Sequence, residues 1–162
     1  MAESVRFRTE VDPVSGTTSF LSECNRETPG VHFGFYETPA AILDKAKALQ
    51  LPIERLIKQG HVEVIWQPTT EGLLDETCDR LVEAVRRRGV RRLFIDGLQG
   101  FERLAPESER LGHIFSAFSS EFRGLGVSTL YTAESDLIGP GSDFPSAVSP
   151  SRGCPVSQKL SW

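Results

Sequence analysis

The chain has 162 residues, 39% of them apolar and 25% charged, the ordinary balance of a single globular domain folded around one core. Its net charge of −4 excludes a global positive field that would recruit nucleic acid or an anionic membrane surface. No apolar run approaches the about 20 residues that a membrane span needs, and the opening Met-Ala-Glu-Ser lacks the basic flank and apolar segment of a secretion signal, so no membrane partner and a cytoplasmic location are expected.

Residues 1–30 contain one strand-like run, residues 5–11, followed by a Ser/Thr-rich stretch of weak periodicity. From Val31 onward strand and helix signals alternate, the pattern of an α/β protein with a parallel sheet. Val31-His32-Phe33-Gly34-Phe35-Tyr36 reads as a buried strand. Thr38 then supplies an N-cap and Pro39 the first helical position, and Ala40, Ala41, Ile42, Leu43, Ala46 and Leu49 carry the helix to about residue 50. A short helix over residues 52–59 stops at Gly60, and Val62-Glu63-Val64-Ile65-Trp66 alternates as a strand does.

The strongest helical signal follows. Leu73, Leu74, Cys78, Leu81, Val82 and Val85 recur at helical spacing, with Asp75 and Glu76 in the first turn and Arg86, Arg87 and Arg88 in the last before Gly89. Residues 90–96 form an apolar strand that ends in one carboxylate, Asp96, ahead of Gly97. Pro106 opens a further helix with an apolar stripe of Leu111, Ile114, Phe115, Phe118 and Phe122, ending at Gly124 or Gly126, and residues 127–132 make the last strand. Residues 139–162, rich in Ser, Pro and Gly without a usable period, are expected to form a poorly ordered tail. The predicted organisation is therefore a remodelled segment 1–30, an α/β core 31–138 and a tail 139–162.

Three cysteines, Cys24, Cys78 and Cys154, and three histidines, His32, His61 and His113, are widely spaced, which points to neither a disulfide framework nor a zinc site. The basic run of Arg86, Arg87 and Arg88 with Arg91 and Arg92 reads first as cations complementing a helix C-terminus. Plain nucleic-acid binding through the same arginines is the lesser reading and would show steep salt dependence.

In a parallel sheet ligands bind outside the carboxyl ends of the strands, so Glu37, Asp96 and the polar end Thr132-Ala133-Glu134-Ser135 are expected to meet at one crevice. Acidic tips on one edge suggest a metal–phosphate site. The plainer alternative is that Asp96 caps a turn with Gly97 while Glu37 lies in solvent before the Thr38 cap.

Phe35-Tyr36-Glu37-Thr38-Pro39, Leu93-Phe94-Ile95-Asp96-Gly97 and Thr129-Leu130-Tyr131-Thr132-Ala133-Glu134 resemble blocks of the KaiC-like branch of RecA-type P-loop ATPases, in order, over about two thirds of the chain. The resemblance implies a RecA-like parallel sheet flanked by helices, ATP and Mg²⁺ as cofactors, and assembly with KaiC-like subunits in a homo- or hetero-oligomer. Asp96 is similar to the aspartate that orders Mg²⁺. Glu37 resembles the second member of a Glu-Glu pair whose first polarises the attacking water, and Tyr36 stands at that first position. A phenol, with a pKa near ~10, is a poor base at neutral pH, so the catalytic role would pass to Glu37.

The family's phosphate loop is G-x-x-x-x-G-K-T, in which backbone N–H groups and a lysine hold phosphates. The nearest stretch is Val11-Asp12-Pro13-Val14-Ser15-Gly16-Thr17-Thr18, where Val11 replaces the first glycine and Thr17 the lysine. Gly16, Thr17 and Thr18 are the candidate nucleotide-binding residues, and Thr18 with Asp96 the candidate Mg²⁺ ligands. The competing reading makes Gly16-Thr17-Thr18 an ordinary turn, with room after it for at most two helical turns before Asn25. Loss of one charge-assisted contact costs roughly 1.5–3 kcal/mol, about tenfold to a hundredfold in affinity. The expectation is an ATP-binding domain incomplete at both ends whose Mg²⁺-dependent hydrolysis is weak or lost. Its rival is a non-catalytic interaction module that regulates a complete relative.

Overall fold

The computed structural model describes residues 13–70, 73–104 and 108–132. The elements are α1 (Pro13–Glu23), β1 (Gly30–Gly34), α2 (Pro39–Ala48), α3 (Ile53–Lys58), β2 (Val62–Trp66), α4 (Leu74–Arg88), β3 (Arg92–Asp96), α5 (Gln99–Leu104), α6 (Ser108–Gly124) and β4 (Ser128–Tyr131). All four strands are parallel, in the order β2-β1-β3-β4. The protein is thus an α/β fold with a parallel sheet, and among the described residues no helix is long and apolar enough to cross a membrane.

Alternation along the inner strands divides the core. Val31, Phe33, Leu93 and Ile95 point to the face covered by α4, α5 and α6, where they meet Leu81, Val85, Phe101, Phe115 and Phe118. Phe94 and Val62 point to the other face, packed with Phe20, Leu21, Ile42, Ile53 and Leu56 of α1, α2 and α3. Two buried faces explain why these strands read as nearly continuous apolar runs. The core reaches back to α1, ahead of the boundary at residue 31 read from the sequence.

The order of connections creates the crevice. From β1 the chain passes through α2 and α3 to β2 on one flank, then through α4 to β3 on β1's other flank. The winding reverses between β1 and β3, and at such a switch point the carboxyl ends of the two strands part to leave space for a ligand. Register sets Gly34 directly against Asp96 at that end.

Local signals account for most boundaries. Thr38 Oγ1 accepts a hydrogen bond from the Ala41 N–H at 3.3 Å, with Pro39 in the first turn. Gly89, in the left-handed region at φ 58°, ends α4 after its three arginines. β1 stops at Gly34 rather than Tyr36, and β3 begins at Arg92 rather than Val90. Leu73, expected on the apolar face of α4, is its exposed N-cap (67%). The expected strand over residues 5–11, the helix start at Pro106 and the tail 139–162 lie outside the described residues.

One helix is longer than expected and one was not expected at all. Gly16, Thr17 and Thr18 sit within α1, which runs three turns instead of forming a turn. Its glycine suits helix-to-sheet packing, because a Cβ there would stand 3.0 Å from the Phe94 ring. The six-residue α5 is too short to show a period. It forms because Phe101, fully buried, meets Phe33, Phe35, Phe115 and Phe118 with ring centroids 4.8–6.0 Å apart. Phe35 lies so close over α5 that a Cβ on Gly100 would fall 2.1 Å from its ring.

Gly100→Ala is therefore expected to destabilise the fold by about 1–3 kcal/mol, lowering Tm by several degrees in thermal unfolding. Gly112→Ala, in α6 with nothing within 4 Å of the added Cβ, is expected to stabilise by about 0.4–1 kcal/mol. Equal Tm values for the two variants would show that Phe35 does not constrain residue 100.

Candidate functional site

Asp96 is the last residue of β3 and is half-buried at the switch point. Its Oδ1 accepts the Thr132 hydroxyl at 2.7 Å, and the same Thr132 oxygen accepts the Gly97 N–H at 2.8 Å. Thr132 N–H donates to Ile95 O at 3.0 Å and Thr132 O accepts the Leu98 N–H at 2.9 Å. Thr132 thus ties both sides of the β3 terminus to the end of β4, and Gly97, at φ 84°, turns the chain away. A Cβ on Gly34 would lie 3.7 Å from both Asp96 Cβ and His32 Cε1. A glycine opposite the carboxylate keeps the crevice open.

A second cavity adjoins His32, between α1 and α2. Thr17, His32, Glu37 and Lys45 supply its polar wall, while Val14 and Leu49 are exposed apolar residues of its lining. The enclosed space is about 20 Å³, room for little more than one water. Glu37 is turned to α2, its Oε1 accepting from Lys45 Nζ at 3.0 Å. Both side chains are more than a third exposed, so the pair contributes at most about 1 kcal/mol and parts readily.

His32 is 2% exposed, its ring lying edge-on to Phe20 and Phe94 at centroid distances of 6.2 and 5.0 Å. Its Nδ1 has no hydrogen-bond partner among the described residues. Burial lowers its pKa below the usual histidine value, against the opposing pull of the Asp96 and Glu37 carboxylates. Both carboxylates therefore lie within electrostatic reach of one imidazole. Cys24 is inert by the same physics: burial pushes its thiol up to about 12, and its Sγ donates to Phe20 O at 3.2 Å.

The other expected site residues fall elsewhere. Thr18 Oγ1 is exposed and donates to Val14 O at 2.8 Å, one turn back along α1, and Gly16 faces Phe94 and Thr132. Inside a helix the N–H groups of residues 16–18 serve the helical ladder, since only the first few are left for a ligand. Tyr36 is 48% exposed, its ring over Gly97 and 5.5 Å from the Arg103 guanidinium. Glu134 lies outside the described residues. Among those described, no group of three or more His, Cys, Asp or Glu is placed to hold a metal ion.

No protein-family model matches the chain, and no curated protein matches it either. The likeness to the KaiC-like branch rests on the three residue blocks alone.

His32 and Lys45 were not anticipated as site residues. The alternation of Gly30, His32 and Gly34 with Val31, Phe33 and Phe35 was a usable signal, since it sets His32 on the face that carries the small residues. Lys45 gave none, because a lysine two turns into a helix reads as a solvated side chain.

Thr132→Val should strand the Gly97 N–H and free Asp96, costing about 1–3 kcal/mol in urea-induced unfolding. A change below 0.5 kcal/mol on that scale would show that Thr132 is not the tie. For His32, the folded pKa is below the unfolded value, so the unfolded state binds more protons as pH falls. Stability is then complete above about pH 6.5 and declines below it, by up to about 1.4 kcal/mol per pH unit, until the folded pKa is reached. His32→Gln should flatten the stability difference between pH 7.5 and 5.5. The same slope in wild type and variant would assign the dependence to carboxylates instead.

Proposed function

We propose that this chain is a KaiC-like, RecA-type nucleotide-binding domain that retains the metal half of its site and has lost most of the phosphate half. The observation that carries this reading is Asp96, a carboxylate held by Thr132 at the switch point between β1 and β3, opposite a glycine. Mg²⁺ keeps several waters and takes one or two carboxylates besides substrate phosphates. Asp96 fits that demand, because a carboxylate that accepts the Thr132 hydroxyl through Oδ1 has a second oxygen with which it would meet a hydrated cation. Thr18 does not fit, since its hydroxyl is turned into its own helix. Gly16, Thr17 and Thr18 offer no cradle of backbone N–H groups while they are helical.

Bound MgATP would bring a phosphoanhydride whose γ-phosphate is open to in-line attack by water. Of the chain's own residues, Glu37 is the group that would orient that water, and the loop lysine that would hold the phosphates beside it is replaced by Thr17. Tyr36 is no substitute base. Turnover is accordingly expected to be weak or absent.

One observation favours the non-catalytic reading, an interaction module of a KaiC-like oligomer: Tyr36 lies half-exposed beneath Arg103 where the family carries a catalytic carboxylate. Nucleic-acid binding has less support. The basic run is engaged within the fold, Arg86 with Glu121 at 2.7 Å, Arg87 and Arg88 with Glu63 at 3.2 and 3.1 Å, Arg91 with Leu125 O at 3.0 Å and Arg92 with Glu23 at 2.7 Å.

A fluorescent ATP analogue titrated with and without Mg²⁺ tests the reading. Mg²⁺ should strengthen binding, and Asp96→Asn should remove about tenfold or more of that gain, the worth of one charge-assisted contact. No Mg²⁺-dependent signal at millimolar nucleotide would leave the interaction module as the function.

A further inference from the structure

Thr17 stands where the phosphate loop has its lysine, so an anion at this edge needs a cation from elsewhere. Among the described residues Lys45 is the one lysine or arginine that lines the cleft between α1 and α2, and it shares that lining with Thr17, Glu37 and His32. It lies on α2, two turns from the Thr38 cap, a position no loop motif would supply. Its Nζ is held 3.0 Å from Glu37 Oε1, by a pair exposed enough to exchange partners at little cost.

Two further observations point to a ligand. Among the described residues His32 Nδ1 is buried with no hydrogen-bond partner, in the wall of the same cleft, and buried polar atoms are seldom left so unless a water or ligand completes them. Helix α1 also begins here, Val14 and Thr17 of its first turns forming part of the lining, which brings the positive end of an eleven-residue helix to the cleft. As the cleft stands, its enclosed room is about 20 Å³. A phosphoryl group enters only when Glu37 and Lys45 part.

We propose that the α1–α2 cleft is a polyphosphate site in which Lys45 takes over the role of the missing loop lysine, with Glu37 as a built-in competitor for that lysine. The class of ligand rests on the nucleotide reading above; the cation and its competitor rest on the cleft. The anion displaces the Glu37 carboxylate, takes Lys45 as its counter-charge and completes the hydrogen bonding of His32. Glu37 then weakens binding in the resting protein, a sign opposite to that of a residue that merely supports the cleft.

Isothermal titration of inorganic triphosphate, alongside the fluorescent ATP analogue with Mg²⁺, tests this on the full chain and on three variants whose Tm is checked first. Lys45→Gln should weaken triphosphate binding at least tenfold and Lys45→Arg should restore most of it. Glu37→Gln should strengthen it severalfold. Triphosphate binding that follows this pattern without nucleotide binding upholds the anion site and removes the nucleotide reading. Nucleotide binding indifferent to Lys45→Gln removes the anion site and leaves that reading standing. Weaker binding in Glu37→Gln, or no triphosphate binding by the wild type, overturns the proposal.

Discussion

Everything in this fold depends on β1 being buried on both faces and hydrogen-bonded along both edges. Its five residues, Gly30–Gly34, are all buried, paired in parallel with β2 on one side and β3 on the other. A strand in that position must satisfy two helical layers at once. Val31 and Phe33 fill the layer of α4, α5 and α6, while Gly30, His32 and Gly34 make up the other face. Gly30 is small of necessity: a Cβ would stand 2.5 Å from Cys24 Sγ and 2.7 Å from the Phe20 ring, so α1 could not lie as close as it does.

The crevice is a consequence of the same strand. Because the chain leaves β1 toward β2 and returns past it to β3, the carboxyl ends of β1 and β3 are not bridged by a common helix. Gly34 and Asp96 stand side by side at that end, a Cβ on the glycine lying 3.7 Å from Asp96 Cβ, and Asp96 is anchored by a threonine that makes four hydrogen bonds to the terminus of β3 and the turn after it. A carboxylate held by a neighbouring hydroxyl has lost part of its side-chain freedom on folding. His32, beneath the gap, is destabilised in its charged form by burial. Burial, helped by the nearby Lys45 charge, works there against the pull of the Asp96 and Glu37 carboxylates.

Charge is otherwise arranged to cancel. The arginines at the end of α4 and the start of β3 reach across to Glu23, Glu63, Glu121 and backbone carbonyls, stitching helices to the amino-terminal edge of the sheet. At the opposite edge the ion pair of Lys45 with Glu37 is loose and sits over a cavity. The two edges therefore differ in kind: one consumes its charges in structure, and the other holds them in a weak pair above unfilled space.

Much of the fold was legible in the chain. The parallel α/β pattern, β2 from residue 62 to 66, the Thr38 cap with Pro39, the Gly89 stop and the phenylalanine stripe of α6 all follow from local chemistry, in which one residue's backbone preference or spacing decides the outcome. The position of Asp96 at the end of a buried strand was legible as well, because the apolar run stops at that carboxylate. What the sequence could not state is anything that needs a second element. Residues 16–18 read as a loop because Gly and Thr are weak helix formers, and they are helical because Phe94 lies beneath them. Residues 99–104 carry no period, and their helix forms around one phenylalanine buried among four others. His32 and Lys45 are ordinary residues until α1 and α2 close a cavity between them. The sequence by itself determined the α/β layering, the order of the strands along the chain and the place of the carboxylate at the end of β3; tertiary structure alone decided which charges meet, because a distance across a helix–sheet interface is set by packing and has no counterpart in the spacing along the chain.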